Sequence, residues 1–183
     1  MNLPNKLTLM RVLLTPVFML LLYLTFPGHL YAALGVFLLA SVTDFLDGYI
    51  ARSRHLITDF GKFMDSLADK ILVLAAMIWF VEVGKMPGWC LLIVVAREFA
   101  VSGLRMVAAN NGRVIAAGWS GKVKTASTMV GICLVLLLNA LSLPNADLVR
   151  GAEIACVAVI VLTTIYSGIE YFMKNKDVFK GQM

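Results

Sequence analysis

Apolar residues run along this chain in six long stretches, each closed by a short polar or turn-forming break. The stretches cover residues 7–26, 29–51, 60–83, 88–109, 123–142 and 151–173. The breaks read Pro27-Gly28, Arg52-Ser53-Arg54-His55, Gly84-Lys85-Met86-Pro87-Gly88, Asn110-Asn111-Gly112-Arg113 and Pro144-Asn145. Glycine, proline and asparagine in such places favour turns over helix. Each stretch has about the 20 residues that an α-helix needs to cross a bilayer. The alternation of polar and apolar residues expected of a membrane β-barrel is absent. The pattern predicts an all-α polytopic membrane protein with six transmembrane helices. No repeat, low-complexity segment or linker divides it, so residues 1–183 are read as a single integral membrane domain.

Composition removes the soluble alternative. Of the 183 residues, 60% are hydrophobic and 15% charged, and the mean hydropathy is +0.86. Soluble domains run at about 45–50% apolar and about 25% charged. A chain this short has too little interior to hide the excess, so the excess faces lipid. Disorder is excluded by the same scarcity of charge. Cys90, Cys133 and Cys156 lie inside apolar runs without paired spacing, which indicates neither a disulfide framework nor a zinc site. Lys6 and Arg11 precede an apolar run that lacks a small-residue cleavage pattern, so no cleavable signal is expected. The histidines, His29 and His55, read as solvated loop residues, and Trp89 and Trp119 as interfacial anchors.

The net charge of +5 is distributed unevenly. With six spans, Lys6, Arg11, Arg52, Arg54, Lys62, Arg105, Arg113, Lys122, Lys124, Lys174, Lys176 and Lys180 all belong to one side. Only Lys85 and Arg150 belong to the other, while Lys70 and Arg97 fall within spans. Positive charge gathers on the cytoplasmic side of membrane proteins. Both termini are therefore expected in the cytoplasm, in the cell membrane, with the basic loops facing anionic lipid rather than nucleic acid.

The acidic residues hold the chemistry. Of eleven, five (Asp44, Asp47, Asp59, Asp65 and Asp69) fall within 26 consecutive positions, and four of these lie inside expected helices. An ionised carboxylate in a bilayer costs about 2.5–3.5 kcal/mol on insertion scales. Asp44, Asp47, Gly48 and Ala51 are spaced to share one helix face, as are Gly61, Asp65 and Asp69 on the next helix. A short loop makes the two helices antiparallel neighbours, so four carboxylates can converge. Without a partner they would repel and take up protons. An all-oxygen donor set suits a hard divalent ion, Mg²⁺ or Mn²⁺. Four negative charges suit two such ions, an arrangement used to clamp phosphoryl groups. Gly48 and Ala51 leave a notch where a flat group such as a nucleobase could approach; ordinary helix packing is the alternative explanation of those small residues.

The stretch Asp44-x2-Asp47-Gly48-x2-Ala51-Arg52-x8-Gly61-x3-Asp65-x3-Asp69 resembles the signature of the CDP-alcohol phosphatidyltransferases at every fixed position. The resemblance implies an integral membrane enzyme, usually a homodimer, that moves a phosphatidyl group from CDP-diacylglycerol to an alcohol and releases CMP. It also implies roles. Asp44, Asp47 and Asp65 would ligate metal, and Asp69 would be the general base with some contact to the second metal. Gly48, Ala51 and Arg52 would hold the CDP moiety, and Gly61 would make room beside the nucleotide.

The acceptor alcohol is read from cations. Arg97 and Arg105 are eight apart on the fourth helix, and Lys122 and Lys124 open the fifth. A cationic pocket suits an acceptor that itself carries a phosphate. Positive-inside loop charge is the plainer alternative for the lysines, and pairing with Glu98 is the plainer alternative for Arg97. Three segments sharpen the choice: Asn2-Leu3-Pro4-Asn5-Lys6-Leu7-Thr8-Leu9-Met10-Arg11, Ala96-Arg97-Glu98-Phe99-Ala100-Val101-Ser102-Gly103-Leu104-Arg105, and Gly121-Lys122-Val123-Lys124-Thr125. They resemble the branch of the family that makes phosphatidylglycerol phosphate from sn-glycerol 3-phosphate. Thr128 departs from that branch, which often has glutamine there. Arg97, Arg105 and Lys122 are expected to bind the acceptor phosphate. Serine, inositol phosphate or a second lipid are the alternative acceptors. A membrane prenyltransferase and a cation transporter are the rival readings, the latter predicting an inverted repeat that the chain lacks.

Overall fold

Glycines in the left-handed region mark three of the expected breaks. Gly28, Gly84 and Gly112 have φ of 84°, 72° and 69°, a conformation that side chains disfavour and glycine adopts freely. The computed structural model describes the backbone of residues 3–53, 59–112, 115–116, 118–141 and 143–180, and the side chains of residues 9–43 and 67–178 within those segments. Between the turns run six long helices: α1 (Leu3–Tyr23), α2 (His29–Ser53), α3 (Asp59–Glu82), α4 (Gly88–Asn110), α5 (Trp119–Leu141) and α6 (Ala146–Lys174). A single turn, α7 (Asp177–Lys180), follows. Among the described residues the fold is all-α, and each expected span coincides with one long helix.

The ends differ from the hydropathy pattern by a few residues, for local reasons. α1 starts at Leu3 with Pro4 in its first turn, where the missing N–H costs nothing. It ends at Tyr23 rather than 26, ahead of the turn that Gly28 makes. α5 takes in the polar Ser120, Gly121 and Lys122 that hydropathy left outside. α6 starts at Ala146 because the Asn145 side chain accepts the Leu148 N–H at 3.1 Å. Asp147 in that first turn complements the helix dipole. His29 opens α2 instead of sitting in a loop, with Nδ1 3.1 Å from the Leu21 carbonyl. Arg11, assigned with Lys6 to the N-terminal side, is 1% exposed within α1. His55 lies outside the described residues.

Packing joins these helices around one apolar core. α1 lies against α2 and α3, α5 against α6 and α2, and α4 against α6 and α3. Phe18 and Phe37 meet between α1 and α2 with ring centroids 5.6 Å apart. Phe80, Val94, Ile132, Leu136 and Ile160 extend the core through the other four helices. α5 and α6 approach closely because Gly131 has no side chain: a Cβ there would lie 2.8 Å from Ile160 Cδ1. A smaller cluster, Val101, Leu104, Ala108, Tyr171 and Val178, fastens the end of α4 to α6 and α7.

The outward faces are as apolar as the core. Leu92, Phe99, Trp119, Leu148, Leu162 and Met173 are each about two-thirds exposed or more. Exposed apolar surface on this scale marks contact with lipid or protein. α5 and α6 are long and apolar enough to cross a membrane by length and composition. The described apolar parts of α1 and α2, 9–23 and 29–43, are shorter.

Lys85 and Arg150, the cations assigned to the side opposite the carboxylates, come together at one end of the bundle. They line a cavity of about 610 Å³ between the α3–α4 turn and the start of α6. There the buried Glu153 accepts from Lys85 Nζ at 2.9 Å and from Asn139 Nδ2 at 2.7 Å. Tyr23 donates to Glu82, tying α1 to the end of α3.

Candidate active site

The signature aspartates sit where α2 ends and α3 begins. Asp44, Asp47, Gly48, Ala51 and Arg52 fall within α2, and Gly61, Asp65 and Asp69 within α3. Both sets therefore have the helical register that the spacing predicts. The side chains of Asp44, Asp47, Gly48, Ala51, Arg52, Gly61 and Asp65 lie outside the described residues. Asp69 is described, and it is half-buried and engaged with neighbouring groups.

Next to Asp69, Lys70 Nζ donates to Ser102 Oγ of α4 at 3.1 Å. This bond fixes the level of α3 against α4. At 1.5 Å of rise per residue, Arg97 stands about 7.5 Å to one side of Ser102 along α4 and Arg105 about 4.5 Å to the other. Asp69 is thus level with the part of α4 that carries both arginines.

Arg97 reaches inward between α5 and α6. Its Nη1 donates to Glu98 Oε1 at 2.9 Å and its Nη2 to Ser167 Oγ at 2.6 Å. Gly168 gives its stem room. A Cβ on Gly168 would lie 3.3 Å from Arg97 Cγ, and one on Gly121 would lie 3.9 Å from Nη2. Lys124 Nζ joins from α5, donating to the same Glu98 Oε1 at 2.6 Å. The pairing of Arg97 with Glu98 is thus real, but it does not exhaust the cluster. Two cations share one carboxylate, and the buried Arg97 Nε has no hydrogen-bond partner among the described residues.

Arg105 completes the cationic side. Its Nε donates to Tyr171 Oη at 3.0 Å, and its guanidinium lies 5.5 Å from the centre of that ring. Neither contact supplies a negative charge. Beside Tyr171 a cavity of about 250 Å³ is lined by Ile115, Ser120, Glu170, Lys174 and Asn175. The hydrogen bond from Lys174 to Glu170 holds the exposed ammonium above the usual lysine range.

Lys122 stands apart. It is exposed and lines an apolar groove of about 670 Å³ between α5 and α6, with Trp119, Val130 and Cys156. Two residues at 100° each turn Lys124 about 200° away from it. Lys124 therefore takes the buried place beside Glu98 while Lys122 faces outward. Ser167 and Tyr171 were not legible as site residues: they share a face of α6, but only its docking on α4 reveals their use. Thr128, one turn beyond Lys124, is buried with its hydroxyl lacking a partner among the described residues. This departure from the resembled branch thus lies on the inner face of α5.

Comparison with known proteins supplies a family. The CDP-alcohol phosphatidyltransferase model matches residues 1–169. A Bacillus subtilis (strain 168) protein, CDP-diacylglycerol–glycerol-3-phosphate 3-phosphatidyltransferase, is 42% identical across 98% of this chain and 97% of its own length. An Escherichia coli (strain K12) protein of the same name is 38% identical across 93% of this chain and 92% of its own. A probable phosphatidylglycerophosphate synthase of Mycobacterium tuberculosis (strain H37Rv) is 36% identical across 93% of this chain and 79% of its own.

Proposed function

The chain belongs to the CDP-alcohol phosphatidyltransferase family, and from that premise we propose that it transfers the phosphatidyl group of CDP-diacylglycerol to sn-glycerol 3-phosphate. The products are phosphatidylglycerol phosphate and CMP. The relatives named for this reaction, matched over nearly their whole length, support the reading. Membership in the family displaces the prenyltransferase and transporter readings. The observation that carries the acceptor is the partly buried cluster of Arg97, Lys124 and Glu98, which has a surplus positive charge at the level of Asp69.

The residues divide the work. Asp44, Asp47, Asp65 and Asp69 fit a pair of divalent ions, Mg²⁺ or Mn²⁺, by the chemistry of the donor set: four carboxylates on two helices packed in one bundle. When bound, such ions neutralise the diphosphate and stabilise charge on the departing CMP. Gly48, Ala51, Arg52 and Gly61 hold the nucleotide. The acceptor hydroxyl forms a bond to the phosphatidyl phosphorus, and the phosphorus–oxygen bond to CMP breaks. Asp69 takes the hydroxyl proton as this happens. No covalent enzyme intermediate is required. Arg97 and Arg105 hold the acceptor phosphate, and Lys124 takes the inward place expected of Lys122, which faces out from α5. The reading includes six spans, one catalytic domain over residues 1–183, a homodimer, and a site on the cytoplasmic side of the cell membrane with both termini.

Release of CMP from CDP-diacylglycerol tests this directly. With sn-glycerol 3-phosphate and Mg²⁺ or Mn²⁺, CMP should appear stoichiometrically with phosphatidylglycerol phosphate. Turnover only with serine, inositol phosphate or a second lipid would replace the acceptor. No CMP release with any of them would refute the reading.

A further inference from the structure

Two carboxylates tie helices of this bundle together, Glu153 buried and Glu98 partly buried, and they are built differently. Glu153, at the end that carries Lys85 and Arg150, meets one cation, Lys85, and one neutral donor, Asn139. Charge there is balanced, and both carboxylate oxygens have donors. That is sufficient for a structural clamp.

Glu98 is under-balanced. A single oxygen, Oε1, accepts from Arg97 of α4 and Lys124 of α5. The two cationic nitrogens therefore lie no further apart than those two bonds laid end to end. Like charges at that separation repel unless an anion joins them. The cluster keeps a net positive charge, and Arg105, about 12 Å along α4 from Arg97, adds another, whose partner among the described residues is neutral Tyr171. Together Arg97, Arg105 and Lys124 against Glu98 leave a surplus of about two charges, close to that of a phosphomonoester above its second ionisation. Among the described residues the buried Arg97 Nε has no hydrogen-bond partner.

We propose that Glu98 is a positioning residue for the acceptor. Its carboxylate holds Arg97 and Lys124 together across α4 and α5 at a spacing that one phosphate can bridge, and trims the cluster's charge to match that phosphate. The proposal rests on the acceptor reading above and extends it to a residue that makes no catalytic contact. Glu98 acts through the two cations.

The test uses the full-length enzyme in bilayer discs, with KM for sn-glycerol 3-phosphate, KM for CDP-diacylglycerol, kcat and thermal midpoint measured for each variant. Glu98→Gln should raise the acceptor KM tenfold or more and leave the CDP-diacylglycerol KM within twofold. Glu98→Asp keeps the charge on a shorter stem and should recover part of the loss; it also serves if the glutamine variant does not fold. Glu153→Gln, the structural comparison, should lower the thermal midpoint and leave the acceptor KM unchanged. The proposal is overturned if Glu98→Gln leaves the acceptor KM unchanged, lowers it, or raises both KM values alike. Arg105→Gln separates the two levels. If it raises the acceptor KM while Glu98→Gln does not, only the role of Glu98 fails; if neither does, the acceptor site itself is misplaced.

Discussion

Lys70 Nζ and Ser102 Oγ lie 3.1 Å apart, and that bond sets the residue beside Asp69 against the arginine-bearing face of α4. A hydrogen bond from a charged donor contributes about 1.5–3 kcal/mol. Lys70 has further interactions, so the loss on deletion should be smaller. Ser102→Ala is expected to lower kcat about three- to tenfold, equivalent to about 0.6–1.4 kcal/mol. Steady-state kinetics with both substrates saturating checks this; an unchanged kcat would mean that the bond does not govern the alignment of the helices during turnover.

The aspartates should separate into two behaviours. Asp69→Asn removes the proton acceptor, so kcat should fall by about 10²–10⁴-fold while CDP-diacylglycerol still binds. Asp47→Ala or Asp65→Ala should abolish turnover and also weaken binding of the nucleotide. Chelation of divalent ions should do the same to the unaltered enzyme, and Mg²⁺ or Mn²⁺ should restore it. Isothermal titration with CDP-diacylglycerol alongside the CMP assay distinguishes the two classes. Full turnover by the alanine variants would contradict the carboxylate site.

Gly131 is a point of close approach between α5 and α6. A Cβ there would sit 2.8 Å from Ile160 Cδ1 and 3.1 Å from Cγ1. Overpacking of this kind costs about 1–3 kcal/mol. Gly131→Leu should lower the thermal midpoint in detergent, and Ile160→Ala in the same chain should recover part of the loss. Additive losses from the two substitutions would show that the contact is not the cause.

Topology can be read from labelling. Cysteine placed at exposed Arg150 should react with an impermeant reagent from outside intact cells. Cysteine at exposed Lys176 should react only after the membrane is opened. The native thiols, buried or half-buried, give a low background. The opposite labelling pattern would invert the assigned orientation.

The number of long helices and the places where the chain turns were legible because apolar stretches and turn residues are local properties. Helix starts were less so. Asn145 begins α6 by a capping bond, and Ser120, Gly121 and Lys122 extend α5; both depend on backbone bonding that hydropathy does not sense. At the site, the spacing of Asp44, Asp47, Asp65 and Asp69 was legible because it obeys the period of a helix. Glu98 was visible only as a possible mate for Arg97, its neighbour in sequence. Which lysine of the fifth helix turns inward depended on rotation about the helix axis: Lys124 is buried, whereas Lys122 is not. Ser167 and Tyr171 carry no signal of their own, because their partners, Arg97 and Arg105, stand on a different helix.

The stem of Arg97 crosses α6 where Gly168 has no side chain. The place of the guanidinium is therefore keyed to how α6 is turned about its own axis. A neighbouring position would present Ile169 or Ser167 to that stem instead of empty space. Because the opposite side of α6 exposes Leu162, Tyr166 and Met173, the seat of Arg97 is coupled to how that apolar face is covered.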